Sequence, residues 1–213
     1  MFPITPLRWI GLLLLLGVIL FSAATIVAEP FEQETALNLY QAIAQNGTTY
    51  QTINLLAGFG FILVVVAWVL LARYMLQAQR RWTLTGLTLL ALATLLWLVE
   101  VGGRLTTTTA TANQVSTGTA VPTTFPANLG VGLEPLFIAF LATTLAGLAI
   151  LFWQVGLAGL LSKRWSLIGA AVIIASGAIA ALTYPWVGGI ERALFYPFVL
   201  VLLPFAIFLL VRR

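Results

Sequence analysis

The sequence contains no Cys and no His. The first absence removes thiolate nucleophiles, iron–sulfur clusters, Cys-ligated zinc, covalent c-type haem and disulfides. The second removes bis-imidazole haem and the His general base of Ser and Cys hydrolases. Asp is missing as well, so all six acids are Glu. Any metal site would have to be a hard-cation site of Glu and carbonyl oxygens, and no metal or other cofactor is expected. Charge is scarce: 8% of the 213 residues are Asp, Glu, Lys or Arg, against about a quarter in soluble domains. Ten basic residues are too few for a nucleic-acid-binding face. What fills the chain instead is apolar, at 61% of residues and a mean hydropathy of +1.06. That composition excludes a water-soluble globular domain and a disordered chain.

A helix that crosses a bilayer needs about 20 mostly apolar residues, because roughly 30 Å of hydrocarbon is covered at 1.5 Å per residue. Six stretches qualify, near Arg8–Ala28, Gln51–Arg73, Trp82–Gly102, Pro135–Gly156, Trp165–Tyr184 and Ala193–Val211. The first has Arg8 ahead of its apolar run, as a signal peptide does. Its run is too long for a signal core, and Ile26-Val27-Ala28 makes a poor cleavage site, so it reads as a retained helix. The expected fold is all-α: one transmembrane domain over residues 1–213, a bundle of six spans with a short amphipathic helix on its outer side.

Basic residues give the orientation. With the N-terminus in the cytoplasm, the inner positions hold Arg8, Arg73, Arg80, Arg81, Lys163, Arg164, Arg212 and Arg213, and no acid. The outer positions hold Glu29, Glu32, Glu34, Glu100, Glu134 and Glu191, with only Arg104 and Arg192. Eight basic residues against two is a positive-inside split, and losing one span would scramble it. A multi-pass protein of a cell membrane with both termini cytoplasmic is expected.

The connections on the outer side differ in character. In Glu29–Tyr50, Ala36, Leu37, Tyr40, Ile43 and Ala44 recur at helical spacing, and Asn46-Gly47 supplies a stop signal. This predicts the amphipathic helix, either as an interfacial linker or as a lid. Thr106–Leu129 is rich in Thr, with few groups able to form a core, and reads as a mobile loop. Pro185–Ile190, with Gly188-Gly189, reads as a tight turn. The inner connections are too short to hold a soluble catalytic module.

No predicted span carries an ionisable residue near its middle, where proton relays and ion pathways place theirs. The deepest acid is Glu100, eighteen residues beyond Trp82 and so about 27 Å up the slab. One reading makes the outer charges structural. Glu100 and Arg104 then form an i, i+4 pair, while Glu134 and Glu191 meet the positive ends of helix dipoles. The other reading gathers Glu100, Arg104, Glu134, Glu191, Arg192, Gln51, Asn54 and Tyr184 into one polar site beneath the amphipathic helix. Such a site would hold a cation or a polar headgroup. The other polar groups within the spans are Thr88, Thr94, Thr143, Thr144, Gln154 and Ser176, and the Thr and Ser hydroxyls can bond back to their own helices. Small residues four apart at Ala142/Ala146, Thr143/Gly147, Ala171/Ala175, Ser176/Ala180 and Gly177/Ala181 predict close approach of the fourth and fifth spans. Pro204 predicts a kink at Leu200.

Two stretches carry a resemblance. Arg8-Trp9-Ile10-Gly11 opens the first helix, and Phe152–Ala178 contains Gly159-Leu-Leu-Ser-Lys-Arg-Trp-Ser-Leu-Ile-Gly169 between two late helices. With the six-span plan, these resemble the bacterial membrane proteins grouped as domain of unknown function 4386. The resemblance implies a polytopic bundle in a bacterial inner membrane and supplies no activity or catalytic residue. Leu98–Arg104 departs from the pattern. The substrate-binding subunits of energy-coupling-factor vitamin transporters are similar in architecture alone; there, small residues such as Ala24 and Ala28 would dock a partner.

These features point to a non-catalytic integral membrane protein, an accessory or assembly subunit that meets lipid and a membrane-protein partner or its own copy, with no nucleic acid involved. The alternative is a small-solute or lipid binder or transporter that uses the outer polar site. Serine, metallo- and aspartyl enzymes all lack their residues.

Overall fold

The computed structural model describes residues 6–28, 36–103, 105–106, 109–118, 133–183 and 192–212. Helix is the only regular structure among them: α1 (Pro6–Val27), α2 (Ala36–Gln45), α3 (Gly47–Met75), α4 (Arg80–Gly103), α5 (Thr109–Ser116), α6 (Leu133–Leu157), α7 (Lys163–Thr183), α8 (Arg192–Pro197) and α9 (Leu203–Val211), with a π-helical segment at Phe198–Leu202. Five stretches among the described residues are long and apolar enough to cross a membrane: Pro6–Val27, Gly47–Met75, Arg80–Gly103, Leu136–Leu157 and Leu194–Val211. The expected turn at Pro185–Ile190 lies outside the described residues.

Local chemistry explains most of the boundaries. Asn46-Gly47 does stop α2, but Asn46 also takes the N-cap position of α3. The third helix therefore starts at Gly47, four residues ahead of the expected Gln51. The run Thr48–Tyr50 contains no helix breaker, and Thr52 Oγ1 donates to the Thr48 carbonyl at 2.8 Å. In the last rod, Pro204 has no N–H for the carbonyl of Leu200, and the chain widens one turn to absorb the loss. The Leu203 N–H reaches back five residues to the Phe198 carbonyl, so the expected kink takes the form of a π turn.

The junction of α6 and α7 is determined by four small residues. Gly159 adopts φ +69°, the left-handed conformation that a helix C-terminus favours in glycine. The Leu160 N–H meets the Val155 carbonyl at 3.0 Å and the Gly159 N–H meets the Gly156 carbonyl at 3.2 Å, the two bonds of a Schellman cap. Ser162 caps α7 through its Oγ, which accepts from the Trp165 N–H at 3.4 Å. The Ser166 hydroxyl is buried against α6, where it donates to the Phe152 carbonyl and accepts from the Gly156 N–H. A Cβ on Gly169 would stand 2.3 Å from the Phe152 ring.

Consecutive long helices are neighbours, and the last returns to the first. Helix α1 lies on α3, α3 on α4, α4 on α6, α6 on α7, α7 on α8, and α9 on α1. Two crossings are tight because both helices offer glycine. A Cβ on Gly17 would lie 2.7 Å from the Gly60 carbonyl oxygen, and one on Gly147 would lie 3.0 Å from that of Gly86. This corrects part of the expected use of the small residues. The fourth and fifth spans, α6 and α7, do pack together, and of the expected residues Gly177 lies in that contact, against Leu145. Gly156 and Gly169 join it, whereas Gly147 serves the α4–α6 crossing and Ala142, Ala171 and Ala175 face outward. Ala24, a candidate partner-docking position, is buried in the core.

Aromatic rings occupy the middle of the ring of helices. Phe21 meets Phe198 at 4.6 Å between centroids, Trp97 stacks on Phe140 at 4.6 Å, and Phe61 meets Phe140 edge-on at 5.2 Å. Nearer the basic end, Phe152 contacts Phe205 at 5.2 Å and Trp68 stacks on Phe205 at 6.0 Å. The hydroxyls of Thr94, Thr143, Thr144 and Ser176 donate to carbonyls of their own helices, as expected.

A second, smaller core lies apart from this one. Helix α2 packs on α5, which bury Tyr40 and Ile43 on one side and Ala112 and Val115 on the other, with Tyr50 from α3. The Thr-rich stretch thus contains a helix at Thr109–Ser116, where a mobile loop was expected. Ala112 and Val115, three apart on one helical face, are enough apolar surface for α2 to cover. The Tyr40 phenol is held above its ordinary value of 10.0 by burial.

Candidate functional site

The polar candidates cluster at the end of the bundle opposite the basic residues, where α3 begins and α4 ends. The buried stripe of α4 runs through Gly86, Leu90, Ala93, Trp97, Glu100 and Val101, steps of three and four that keep one helical face inward. Glu100 follows this stripe and is only 4% exposed. On α3, the buried stripe near the same end runs through Ile53, Asn54, Ala57 and Gly58.

One contact sets the register between the two helices. A Cβ on Gly58 would lie 3.4 Å from Trp97 Nε1. The chains run antiparallel, so one turn outward from Gly58 reaches Asn54, and one turn outward from Trp97 reaches Glu100 and Val101. Asn54 and Glu100 therefore share a level. Beneath them lies the Trp97 ring, whose Nε1 is buried without a hydrogen-bond partner among the described residues. Asn54 Nδ2 donates one of its two N–H groups to the Tyr50 carbonyl at 2.9 Å, and the amide oxygen is the acceptor it can offer. A carboxylate and an amide oxygen over an aromatic floor suit a cation or a donor-rich headgroup.

The other candidates do not all join this pair. Gln51 is exposed. Glu134 falls in the first turn of α6. Arg192 opens α8. Arg104, Tyr184 and Glu191 lie outside the described residues, as do the side chains of Glu134 and Arg192. Among the described residues, no group of three His, Cys, Asp or Glu converges.

Gln154, one of the polar groups expected within the spans, is wholly buried with neither amide atom hydrogen-bonded among the described residues. It follows Gly147 and Leu151 on the side of α6 that meets Gly86, an orientation that becomes readable only once the glycine crossing is known. Sequence reasoning passed over Ser166, because nothing in Lys163–Gly169 marks the fourth residue as the one aimed at α6.

No family model matches the chain, and comparison with curated proteins and with solved structures finds no match.

Proposed function

We propose that the chain is a multi-pass membrane protein whose six spans are α1, α3, α4, α6, α7 and the α8–α9 rod, with both termini on the cytoplasmic side. In this reading it serves without catalysis, as an accessory or assembly subunit of a membrane complex. The observation that carries the reading is the filled centre. Phe21, Phe61, Trp97, Phe140, Phe152 and Phe205 occupy the space where a solute path between the helices would run. Leu, Ile and Val side chains meanwhile stand exposed along α1, α3, α4 and α7, as lipid- or partner-facing surfaces do. The eight-to-two distribution of basic residues supports the orientation. The resemblance to domain of unknown function 4386 agrees with a bacterial inner membrane and adds no activity.

Native mass spectrometry of the chain, extracted in mild detergent from its own membrane, tests this. Stoichiometric protein subunits, or a defined homo-oligomer, are the expected result. A lone chain carrying a retained solute would overturn it.

A second reading, a solute or lipid binder, draws on Asn54 and Glu100 sharing a buried level. It requires that Glu100→Gln release the retained molecule while the helix content stays intact. An unchanged complement of bound molecules in that variant sinks it.

A further inference from the structure

Two helices open with the same chemistry. Arg80-Arg81-Trp82 begins α4, and Lys163-Arg164-Trp165 begins α7. Helix α6 packs between these two helices and supplies a third Trp at the same depth. Trp153 meets Trp82 edge-on at 6.1 Å, and its carbonyl lies 3.1 Å from the hydroxyl of Ser166, the residue after Trp165. The three rings are 48%, 37% and 63% exposed for Trp82, Trp153 and Trp165. Arg80, Arg81, Lys163 and Arg164 are all exposed around them.

Four cations here stand in the first turns of helices, where the macrodipole is positive and disfavours them. No acid offsets that cost locally, since the one acidic side chain described, Glu100, is at the opposite end of the bundle. Positive charge is therefore unmatched by any described acidic side chain in this corner. Trp rings settle at the headgroup level of a bilayer, and basic pockets between spanning helices on the cytoplasmic side accept anionic headgroups. On the same helices, Leu84, Leu167 and Ile168 are exposed one turn deeper, in position for acyl chains.

We propose that the basic–basic–Trp openings of α4 and α7, with Trp153 between them, form a binding site for an anionic phospholipid of the inner leaflet. The phosphate is held by Arg80, Arg81, Lys163 and Arg164, and the glycerol and upper acyl carbons lie on the three Trp rings. This rests on the spanning topology proposed above.

The test titrates the full-length detergent-solubilised chain with dioleoylphosphatidylglycerol or dioleoylphosphatidylcholine and counts retained lipids by native mass spectrometry. The phosphatidylglycerol adduct is expected to dominate, and the doubles Arg80→Gln/Arg81→Gln and Lys163→Gln/Arg164→Gln each lose it by about 10-fold. Trp153→Leu weakens it with no change of charge. A charge-matched double at the same end but on other helices, Arg8→Gln/Arg73→Gln, retains it. Equal retention of the two lipids overturns the site, as does equal loss in the charge-matched control, which means diffuse attraction alone. So does a co-purified acidic protein, in place of lipid, that is lost in the same doubles. Recovery of the chain in the soluble fraction without detergent is a separate outcome, because it removes the spanning topology itself.

Discussion

The two ends of the bundle are closed by different means. At the basic end, α6 and α7 are joined by five residues held by a left-handed Gly159, a Schellman pair of bonds and a Ser162 cap, with the Ser166 hydroxyl of α7 buried against α6. Arg212 adds a donor from the far end of the chain, Nη1 to the Leu160 carbonyl at 2.8 Å. At the other end, the described closure is two short helices that bury a handful of side chains against each other. The first is built from local chemistry and is anchored in the main core. The second depends on the amphipathic α2 meeting a distant segment, α5, that has only Ala112 and Val115 to bury. Damage to the first is therefore transmitted to the whole bundle, and damage to the second stays where it is.

The sharpest way to break this contrast is Gly169→Val. Its side chain would enter the Phe152 ring, which Trp68 and Phe205 hold in place. Overpacking of this kind costs about 3 kcal/mol. Thermal unfolding in detergent followed by circular dichroism is expected to shift as one transition, and an unshifted melt would show that α7 is free to move off α6.

Ile43→Ala, next in size, removes a wholly buried side chain from the small core, at a local cost of about 2–4 kcal/mol. It should open α2 and α5 to limited proteolysis while the main melting transition stays put. Loss of that transition would make the small core part of the bundle's cooperative unit.

Gly159→Ala is milder. It places a Cβ at a left-handed position, worth about 1–2 kcal/mol, with open space around it. A small shift of the whole melt is expected, and none would mean that the turn rearranges without strain.

The smallest effect is one of pH, at Tyr40. Its phenol is pushed up in the folded state, so folding holds that proton more tightly than the unfolded chain does. The contribution is complete below the ordinary value of 10.0 and is lost as pH rises through it toward the raised one. Protease sensitivity of α2–α5 should increase above that pH, and Tyr40→Phe should abolish the increase.

The comparison also shows what could be read in advance. Asn46-Gly47, Gly159 and Ser162 act through their own backbone neighbours, so their roles in stopping and starting helices follow from sequence. Pro204 is a partial case. The lost hydrogen bond was legible, while the π turn that absorbs it depends on Phe198 being held against Phe21. Of the candidate polar site, the shared depth of Asn54 and Glu100 followed from counting residues. That both face inward did not, and neither did the outward face of Gln51. Helix α5 was missed because threonine dominates its surroundings, and the two residues that matter, Ala112 and Val115, have no weight until α2 is beside them.

Apolar run lengths and the placement of basic residues are enough to derive an all-α chain with several helices long and apolar enough to cross a membrane, and to show which end of the bundle is basic. Both depend on composition along the chain, which folding does not alter. Which helix faces which was left to the tertiary structure: the Gly17–Gly60 and Gly86–Gly147 crossings, the return of α9 to α1, and the burial of Glu100 and Gln154. The reason is physical. In a soluble helix, one polar and one apolar face declare the inside, because water and core demand different side chains. Here the side chains facing outward are as apolar as those facing the core, so hydrophobicity carries no direction. Direction is carried instead by shape, in the glycines that let two backbones meet and the rings that fill what remains.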